Sequence, residues 1–257
     1  MFIYTVITST KTIIALLICS YLLACAPQST TSTNNQPAPD INSLVNNSLV
    51  YAQRGALAQA QQSIQEALAI DPNNVDANNI AGLIYGKTNQ PSLAVKYFET
   101  ALSRANNDAS TLNNYGNFLC DHGKTQEAEK KFLRAATHVS NPNPEIAYTN
   151  AGLCSMRVPN LDQAAAYFKT ALDHQETNTI ALFQLAHINF SKNRGIPALE
   201  RLHAYAQYGS HTPATLKLGI EIGRLLRDKE VEIGYFNLLQ SKFPTSEEYQ
   251  WAVATIN

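Results

Sequence analysis

The sequence carries little charge and lacks the patterns of a nucleic-acid-binding protein or a β-sheet. Only 15% of its 257 residues are charged, the formal net charge is −1, and Lys and Arg form no basic run. We therefore expect no nucleic acid among its partners, because such proteins carry a basic patch or stripe. No block alternates apolar and polar residues as a half-buried strand does. Hydrophobic residues nevertheless make up 45% of the chain, which indicates an ordered protein with one continuous core.

The short motifs of common enzymes and metal sites are also missing. None of the six histidines belongs to an H-E-x-x-H motif, and neither G-x-S-x-G nor a P-loop occurs. No His or second Cys stands at the spacing of zinc ligands. We expect no enzymatic activity, no bound metal and no cofactor.

What the sequence does contain is a segment that recurs about every 34 residues. Its most regular copy, residues 111–136, is TLNNYGNFLCDHGKTQEAEKKFLRAA, which predicts two short amphipathic helices around a Gly-containing turn. A small residue of the second helix marks each copy, and an Ile, Leu or Phe follows it four positions later. The marking residues are Ala60, Ala94, Ala128, Ala164 and Ala198, with Glu232 as a degenerate sixth.

This spacing is typical of the tetratricopeptide repeat (TPR), a helix-turn-helix unit. Small residues are needed where the two helices cross, because a bulky side chain there would push the helix axes apart. We predict an all-α fold: a TPR superhelix of about six helix-turn-helix repeats over residues 41–246, followed by a tail or capping helix at 247–257. A generic helical bundle with accidental periodicity would have to reproduce all six registers by chance.

The first residues of the chain predict export. Lys11 precedes an apolar run at 13–24, whose twelve residues are too few to span a bilayer as a helix. A run of that length suits the apolar region of a secretory signal peptide. Residues 1–24 are therefore predicted to be a signal peptide rather than part of the fold.

The end of the predicted signal resembles a lipid-attachment motif. Leu22–Cys25 is similar to the bacterial lipobox, so Cys25 is expected to become the lipidated first residue of the mature protein. Ala26 in place of Asp favours the outer membrane as its destination. An ordinary secretory signal with an incidental Cys25 is the alternative. Residues 25–40 are rich in Ser, Thr, Asn, Gln and Pro and predict a disordered tether between the lipid and the repeats.

Two further cysteines, Cys120 and Cys154, lie on the first helices of consecutive repeats. In an oxidising compartment two such thiols are expected to pair, and neighbouring helices lie close enough for a disulfide. Two buried free thiols that serve as small core residues are the alternative. The sequence alone leaves both interpretations open.

In the TPR family the first helix of each repeat, here called the A helix, lines a concave groove that binds ligands. Asn amides in such a groove can pair with the backbone of an extended peptide, and Phe183 and Phe190 can hold apolar side chains. The alternatives are a solvated helix surface for the asparagines and core positions for the two phenylalanines. The predicted groove residues are Asn79, Leu83, Asn113, Asn117, Asp121, Thr149, Leu153, Met156, Phe183, His187 and Phe190.

With these features the chain resembles the type IV pilus biogenesis and stability lipoproteins, the PilF/PilW pilotin family. The resemblance implies an outer-membrane protein that faces the periplasm and is held in the inner leaflet by lipid on Cys25. It also implies that the protein binds subunits of the pilus secretin and helps them reach the outer membrane and multimerise. Cys120 and Cys154 match paired cysteines of the family pattern. The resemblance rests on Asn113–Cys120, Gly123, Glu127, Ala128 and Asn150–Cys154.

Two other functions stay open at this stage. One is a different periplasmic TPR adaptor lipoprotein, such as a scaffold for cell-wall hydrolases or for outer-membrane assembly. The other is an enzyme whose site lies in the groove near His187. Neither is favoured by a motif in the sequence.

Overall fold

The computed structural model describes residues 40–158 and 160–255. Those residues form thirteen α-helices and no strand, which confirms the predicted all-α TPR fold. The predicted signal peptide, the lipidated Cys25 and all of the tether except Asp40 lie outside the described residues. The helices are α1 (Ile41–Gln53), α2 (Leu57–Ile70), α3 (Val75–Lys87), α4 (Pro91–Arg104), α5 (Ala109–Asp121), α6 (Thr125–Ala136), α7 (Pro144–Ser155), α8 (Leu161–His174), α9 (Thr179–Ser191), α10 (Gly195–Tyr208), α11 (Pro213–Leu226), α12 (Lys229–Lys242) and α13 (Glu247–Thr255).

The first twelve helices pair into six hairpins, from α1 with α2 to α11 with α12. The odd-numbered helices α1 to α11 are the A helices, and the even-numbered helices α2 to α12 are the B helices. Each B helix also contacts the A helix of the next hairpin, and successive A helices touch one another from α1 to α7 and again between α9 and α11. The A helices therefore form one layer, and α13 packs against α11 and α12 at the end of the stack.

Side chains at the helix ends explain where the A helices begin. Asn74, Asp108 and Asn178 each accept a hydrogen bond from the backbone N–H three residues further on, at 2.9, 2.7 and 3.0 Å respectively. Such caps satisfy one of the N–H groups that have no partner within the helix. The second, third and fifth repeats therefore start at an Asn or Asp that the sequence places just before the apolar pattern, whereas Thr212 caps the sixth.

The turn inside a hairpin uses one residue in the left-handed backbone region, five positions before the marking small residue. Gly and Asn adopt this region at little cost, and they occupy four of the five positions seen. Arg227 is the exception, in the degenerate sixth repeat. The left-handed residues are Gly55 (φ 75°), Asn89 (φ 57°), Gly123 (φ 73°), Asn193 (φ 56°) and Arg227 (φ 55°).

The core is built where the helices of one hairpin cross. In the third repeat a Cβ added at Gly116 of α5 would lie 2.5 Å from the Phe132 ring of α6. The marking residue Ala128 is fully buried beside that ring, as is Phe132 itself. Gly82 with Phe98, and Gly152 with Phe168, repeat this contact at 2.6 Å. The predicted need for small residues at the crossing thus has a specific cause: the aromatic ring of the B helix fills the space that a side chain would take.

The sixth repeat replaces the marking alanine by a carboxylate, Glu232, which is only 5% exposed. Arg224 Nε and Lys229 Nζ donate to its two oxygens at 2.7 and 2.9 Å. Arg224 also donates to Thr255 Oγ1 of α13 at 3.0 Å, and its guanidinium lies 5.1 Å from the centre of the Trp251 ring. Hydrogen bonds from Arg224, and then from Lys229, hold the pKa of Glu232 below its ordinary value. The position that holds an alanine in the other repeats therefore holds a carboxylate here, and its hydrogen bonds with Arg224 and Lys229 join α11, α12 and, through Arg224, α13.

We expect Gly116→Ala to destabilise the protein by about 1–3 kcal/mol, because the new methyl group overlaps the Phe132 ring in a packed core. Gly234→Ala is the matched control, since it also lies inside a helix but a Cβ there meets no atom within 4 Å. The control should gain about 0.5–1 kcal/mol from helix propensity. Chemical denaturation of both variants measures the difference, and equal stabilities would contradict the crossing model.

We expect Glu232→Gln to cost about 1.5–3 kcal/mol at pH 7, because two hydrogen bonds to a charged group are weakened. Since the folded pKa of Glu232 is lowered, its contribution is complete above the ordinary Glu pKa of about 4.3 and is lost as pH falls through the folded value. The variant should therefore lose less stability than the wild type when the pH drops from 5 to 3. Urea denaturation across that range, with the exposed Glu230→Gln as control, tests this; parallel pH curves would contradict it.

Candidate functional site

Several cavities open on the A helices. Two of them hold most of the predicted groove residues, and the first of these is lined mainly by amides. This amide pocket has a volume of about 620 Å³ and lies between α5, α7 and the 137–143 segment that joins α6 to α7. Its one carboxylate belongs to Asp108, which already caps α5. The pocket therefore offers hydrogen bonds with little formal charge. Its asparagines are Asn107, Asn113, Asn114, Asn117, Asn141, Asn143 and Asn150.

Asn113 and Asn117, both predicted as groove residues, lie in this pocket. Asn117 is exposed, whereas Asn113 is partly buried. The Oδ1 atom of Asn113 is itself buried and accepts no hydrogen bond from the described residues. Since each amide side chain carries two donors and one acceptor oxygen, the pair can donate to backbone carbonyls and accept from the N–H groups of an extended segment.

Asn79 and Thr149 are almost fully buried between consecutive A helices, and their side chains bond those helices to each other. Asn79 is 3% exposed; it donates to Ser110 Oγ at 3.2 Å and accepts from Asn114 Nδ2 at 3.0 Å. These bonds tie α3 to α5. Thr149 is 4% exposed; its hydroxyl accepts from Asn178 Nδ2 at 2.8 Å and donates to a backbone carbonyl of its own helix at 2.7 Å. These polar groups hold the A layer together, and Thr149 also lines a smaller cavity of about 340 Å³ between α7 and α9.

The second cavity, the apolar pocket, has a volume of about 550 Å³ and is formed by the end of α7 with α9, α11 and α13. It brings together four of the predicted groove residues. The Phe183 ring is held in place by Tyr205 of α10, with ring centres 6.1 Å apart, and His187 is exposed at the rim. The pocket is lined by Met156, Phe183, Gln184, His187, Phe190, Ala214, Lys217, Leu218, Glu221 and Glu248.

The remaining predicted residues lie outside both pockets. Leu83 and Leu153 are partly buried and pack against the core. Asp121 is exposed and forms an ion pair with Arg157, with Oδ1 and Nη2 2.7 Å apart. Most of the predicted groove residues are therefore divided between two pockets, one lined by amides and one apolar.

Three charged residues of the apolar pocket were missed by sequence reasoning. Lys217 and Glu221 follow Phe183 and His187 by 34 positions each, so extending the register into the weak sixth repeat would have found them. Glu248 lies on α13, beyond the last repeat, and no spacing in the sequence points to it.

Cys120 of α5 and Cys154 of α7 lie with their Sγ atoms at bonding distance and their Cα atoms 5.9 Å apart. That Cα separation is within the range of disulfides. Arg157 donates to the carbonyl of Cys120 at 3.3 Å and so braces the same junction. The oxidised pair stays a prediction, and its geometry would fix the spacing of the two A helices that form the amide pocket.

The described part of the chain shows neither a metal centre nor a membrane-crossing helix. Across residues 40–158 and 160–255, no group of three His, Cys, Asp or Glu side chains is placed to hold an ion. Within the same ranges no helix has both the length and the apolar character that a bilayer crossing requires.

Comparison with known proteins identifies one repeat and relatives that act in type IV pilus assembly. Residues 75–108 match the family model of the tetratricopeptide repeat. The chain is 29% identical to the type IV pilus assembly protein PilF of Pseudomonas aeruginosa over 202 residues, which cover 79% of this chain and 80% of PilF.

Two solved structures of pilus proteins superpose on most of the chain. The structure of Pseudomonas aeruginosa PilF matches with a TM-score of 0.71 and 28% identity, covering 84% of this chain and 97% of that one. PilW, described as a widely conserved type IV pilus biogenesis factor, matches with a TM-score of 0.72 and 29% identity, covering 83% of this chain and 98% of that one.

We expect Cys120 and Cys154 to be oxidised in protein isolated from the envelope, and reduction to cost about 3–4 kcal/mol. The cost follows from the chain entropy that a link across 34 residues removes from the unfolded state. Alkylation of the unfolded protein without reductant, followed by mass spectrometry, measures the pairing. Urea midpoints with and without reductant measure the cost, with the Cys120→Ser/Cys154→Ser variant as a control that should not respond. Two alkylated thiols in the unreduced protein would contradict the expectation.

Proposed function

We propose that this protein is a pilotin. The premise is that the chain belongs to the type IV pilus biogenesis TPR proteins represented by PilF and PilW. In this role it is a lipid-anchored protein of the outer membrane that faces the periplasm. It binds secretin subunits through the A-helix groove and supports their assembly into multimers. The observation that carries the proposal is the amide pocket and the apolar pocket on the A helices of a chain that superposes on PilF and PilW over most of its length.

Recognition is assigned to the groove, which is preformed. The bonds of Asn79 and Thr149 join consecutive A helices, so the walls of the amide pocket are held before a partner arrives. A preformed site loses less conformational entropy on binding than one that must be ordered. Asn113 and Asn117 are placed to bond the backbone of an extended segment of the partner.

Location is assigned to the lipid on Cys25. Several acyl chains on one cysteine make a durable anchor, whereas a single chain holds only weakly. If the 15 residues of 26–40 form the tether that their composition predicts, a flexible coil of that length spans roughly 20 Å end to end. A secretin subunit held in the groove is thereby kept at a high local concentration beside the inner leaflet.

The proposed activity consists of binding alone, so no bond is made or broken. This distinguishes it from an enzyme near His187, which is exposed at the rim of the apolar pocket. An adaptor for cell-wall hydrolases or outer-membrane assembly would also act by binding alone. It differs from a pilotin in the protein that the groove binds, which would be a hydrolase or an assembly protein in place of the secretin.

The test is a strain in which the gene is deleted and complemented with variants. The deletion should lower the amount of heat-stable secretin multimers in the outer membrane, as seen on a denaturing gel. Cys25→Ala should leave the repeats folded but move the protein away from the outer membrane, and multimers should stay low. Asn113→Ala/Asn117→Ala should stay in the outer membrane and still lower the multimers.

The matched control is Asn237→Ala, an exposed asparagine on the B helix α12, which should restore multimers to the wild-type level. Normal multimers in the outer membrane of the deletion strain would refute the pilotin role. Recovery of hydrolases or assembly proteins, and not the secretin, by affinity purification from solubilised envelope would assign the groove to the adaptor function.

A further inference from the structure

We propose that the apolar pocket is a docking site for a polypeptide segment of the partner that presents a large apolar side chain with a Lys or Arg close to it in sequence. The inference rests on the proposed function, because both use the A-helix groove to bind a polypeptide. It adds the chemistry that decides which segment is bound.

The apolar part of the preference comes from two aromatic rings that the fold leaves half-covered. Phe183 and Phe190 of α9 each pack one side against the core formed by α9 to α13, yet both remain partly exposed. Their free sides line the pocket together with Met156 and Leu218. A cavity of about 550 Å³ with this lining gains free energy by covering apolar surface, so a large apolar side chain is the group that suits it.

The basic part of the preference comes from two carboxylates at the same pocket. Glu221 of α11 and Glu248 of α13 both line it. Neither appears in an ion pair or side-chain hydrogen bond among the described residues. Two carboxylates beside an apolar surface attract a cationic side chain and repel an acidic one.

The single cation of the pocket is already engaged. The ammonium of Lys217 lies 4.6 Å from the centre of the Trp251 ring, and Arg224 lies 5.1 Å from the same ring. A cation over an aromatic face is attracted by the ring quadrupole. Lys217 therefore belongs to the attachment of α13 to α11, and the charge left for a partner is that of Glu221 and Glu248.

The two pockets would thus divide recognition between them. The amide pocket offers hydrogen bonds that any extended backbone can accept, which gives affinity with little selection among sequences. The apolar pocket offers an apolar surface and two carboxylates, which selects among side chains.

The tether of this chain cannot be the occupant. Residues 26–40 contain no Lys, no Arg and no large apolar side chain. The remaining competitor is a second copy of the chain, which the test addresses directly.

The test selects peptides from a phage-displayed library of random 12-residue sequences against the full-length protein in detergent. Selected peptides should be enriched in an aromatic or long aliphatic residue with Lys or Arg within four positions. The selected peptides are then made synthetically, and their affinities for wild type and variants are measured by fluorescence anisotropy. No pilus protein is used, so the result does not depend on whether the natural partner is the secretin.

Glu221→Gln/Glu248→Gln keeps the shape of the pocket and removes its charge. We expect this variant to bind the selected peptides about tenfold more weakly, because two partly exposed charge pairs are lost. The salt dependence of peptide binding should largely disappear. Glu66→Gln/Glu200→Gln, two exposed carboxylates on B helices, is the charge-matched control and should bind as the wild type does. Phe190→Ala should lower the affinity for the same peptides. Replacing the Lys or Arg of a peptide by Gln should change its affinity for the Glu221→Gln/Glu248→Gln protein only slightly.

Several results would overturn the inference while leaving groove binding intact. Enrichment of acidic peptides would do so, as would peptides that lose affinity with Asn113→Ala/Asn117→Ala but not with Glu221→Gln/Glu248→Gln. Failure to enrich any peptide would also overturn it. Sedimentation that shows a dimer of the wild-type protein and a monomer of Glu221→Gln/Glu248→Gln would assign the pocket to a second copy of this chain.

Discussion

The whole stack depends on the close crossing of two helices within each hairpin. Gly82, Gly116 and Gly152 lie so near the phenylalanine rings of their B helices that even a Cβ would overlap them. Since the ring occupies the space beside the glycine, the A and B helices reach a single, close separation. The same separation in successive repeats lines the A helices up as one layer, and the inner side of that layer is the candidate groove.

Packing does not fix which side chains lie on the inner side of the A layer, and their chemistry changes along the stack. Between α5 and α7 it is a set of amides, and between α9, α11 and α13 it is an apolar surface with two carboxylates. Cys120 and Cys154 approach each other between α5 and α7, the two A helices of the amide pocket. The end of the stack is closed differently, because Glu232, Arg224 and Trp251 join three helices through polar and cation–π contacts. The sixth repeat is followed by α13 and not by another repeat, and terminal repeats of a stack depart from the pattern of the inner ones.

The period of about 34 residues in the sequence was enough to predict the fold, the hairpins and most of the core, since small residues and rings are tied to one crossing geometry. Six of the eleven predicted groove residues line the amide pocket or the apolar pocket, including Asn117 and Phe190. The burial of Asn79 and Thr149 could not be predicted, because their partners Ser110 and Asn178 lie on or at the start of the next A helix, and spacing within one repeat does not show contacts between repeats. Glu248 could not be predicted at all, because α13 follows the last repeat and its position is set by packing on α11 and α12.

The central claim is that the inner side of the A helices is where the secretin binds. Hydrogen–deuterium exchange of the full-length protein in detergent, with and without the solubilised secretin, tests it most directly. The account predicts slower exchange in α5, α7, α9 and α11 when the secretin is present, with little change in α6, α8 and α10. Protection confined to the B helices, or equal exchange in all helices, would contradict it.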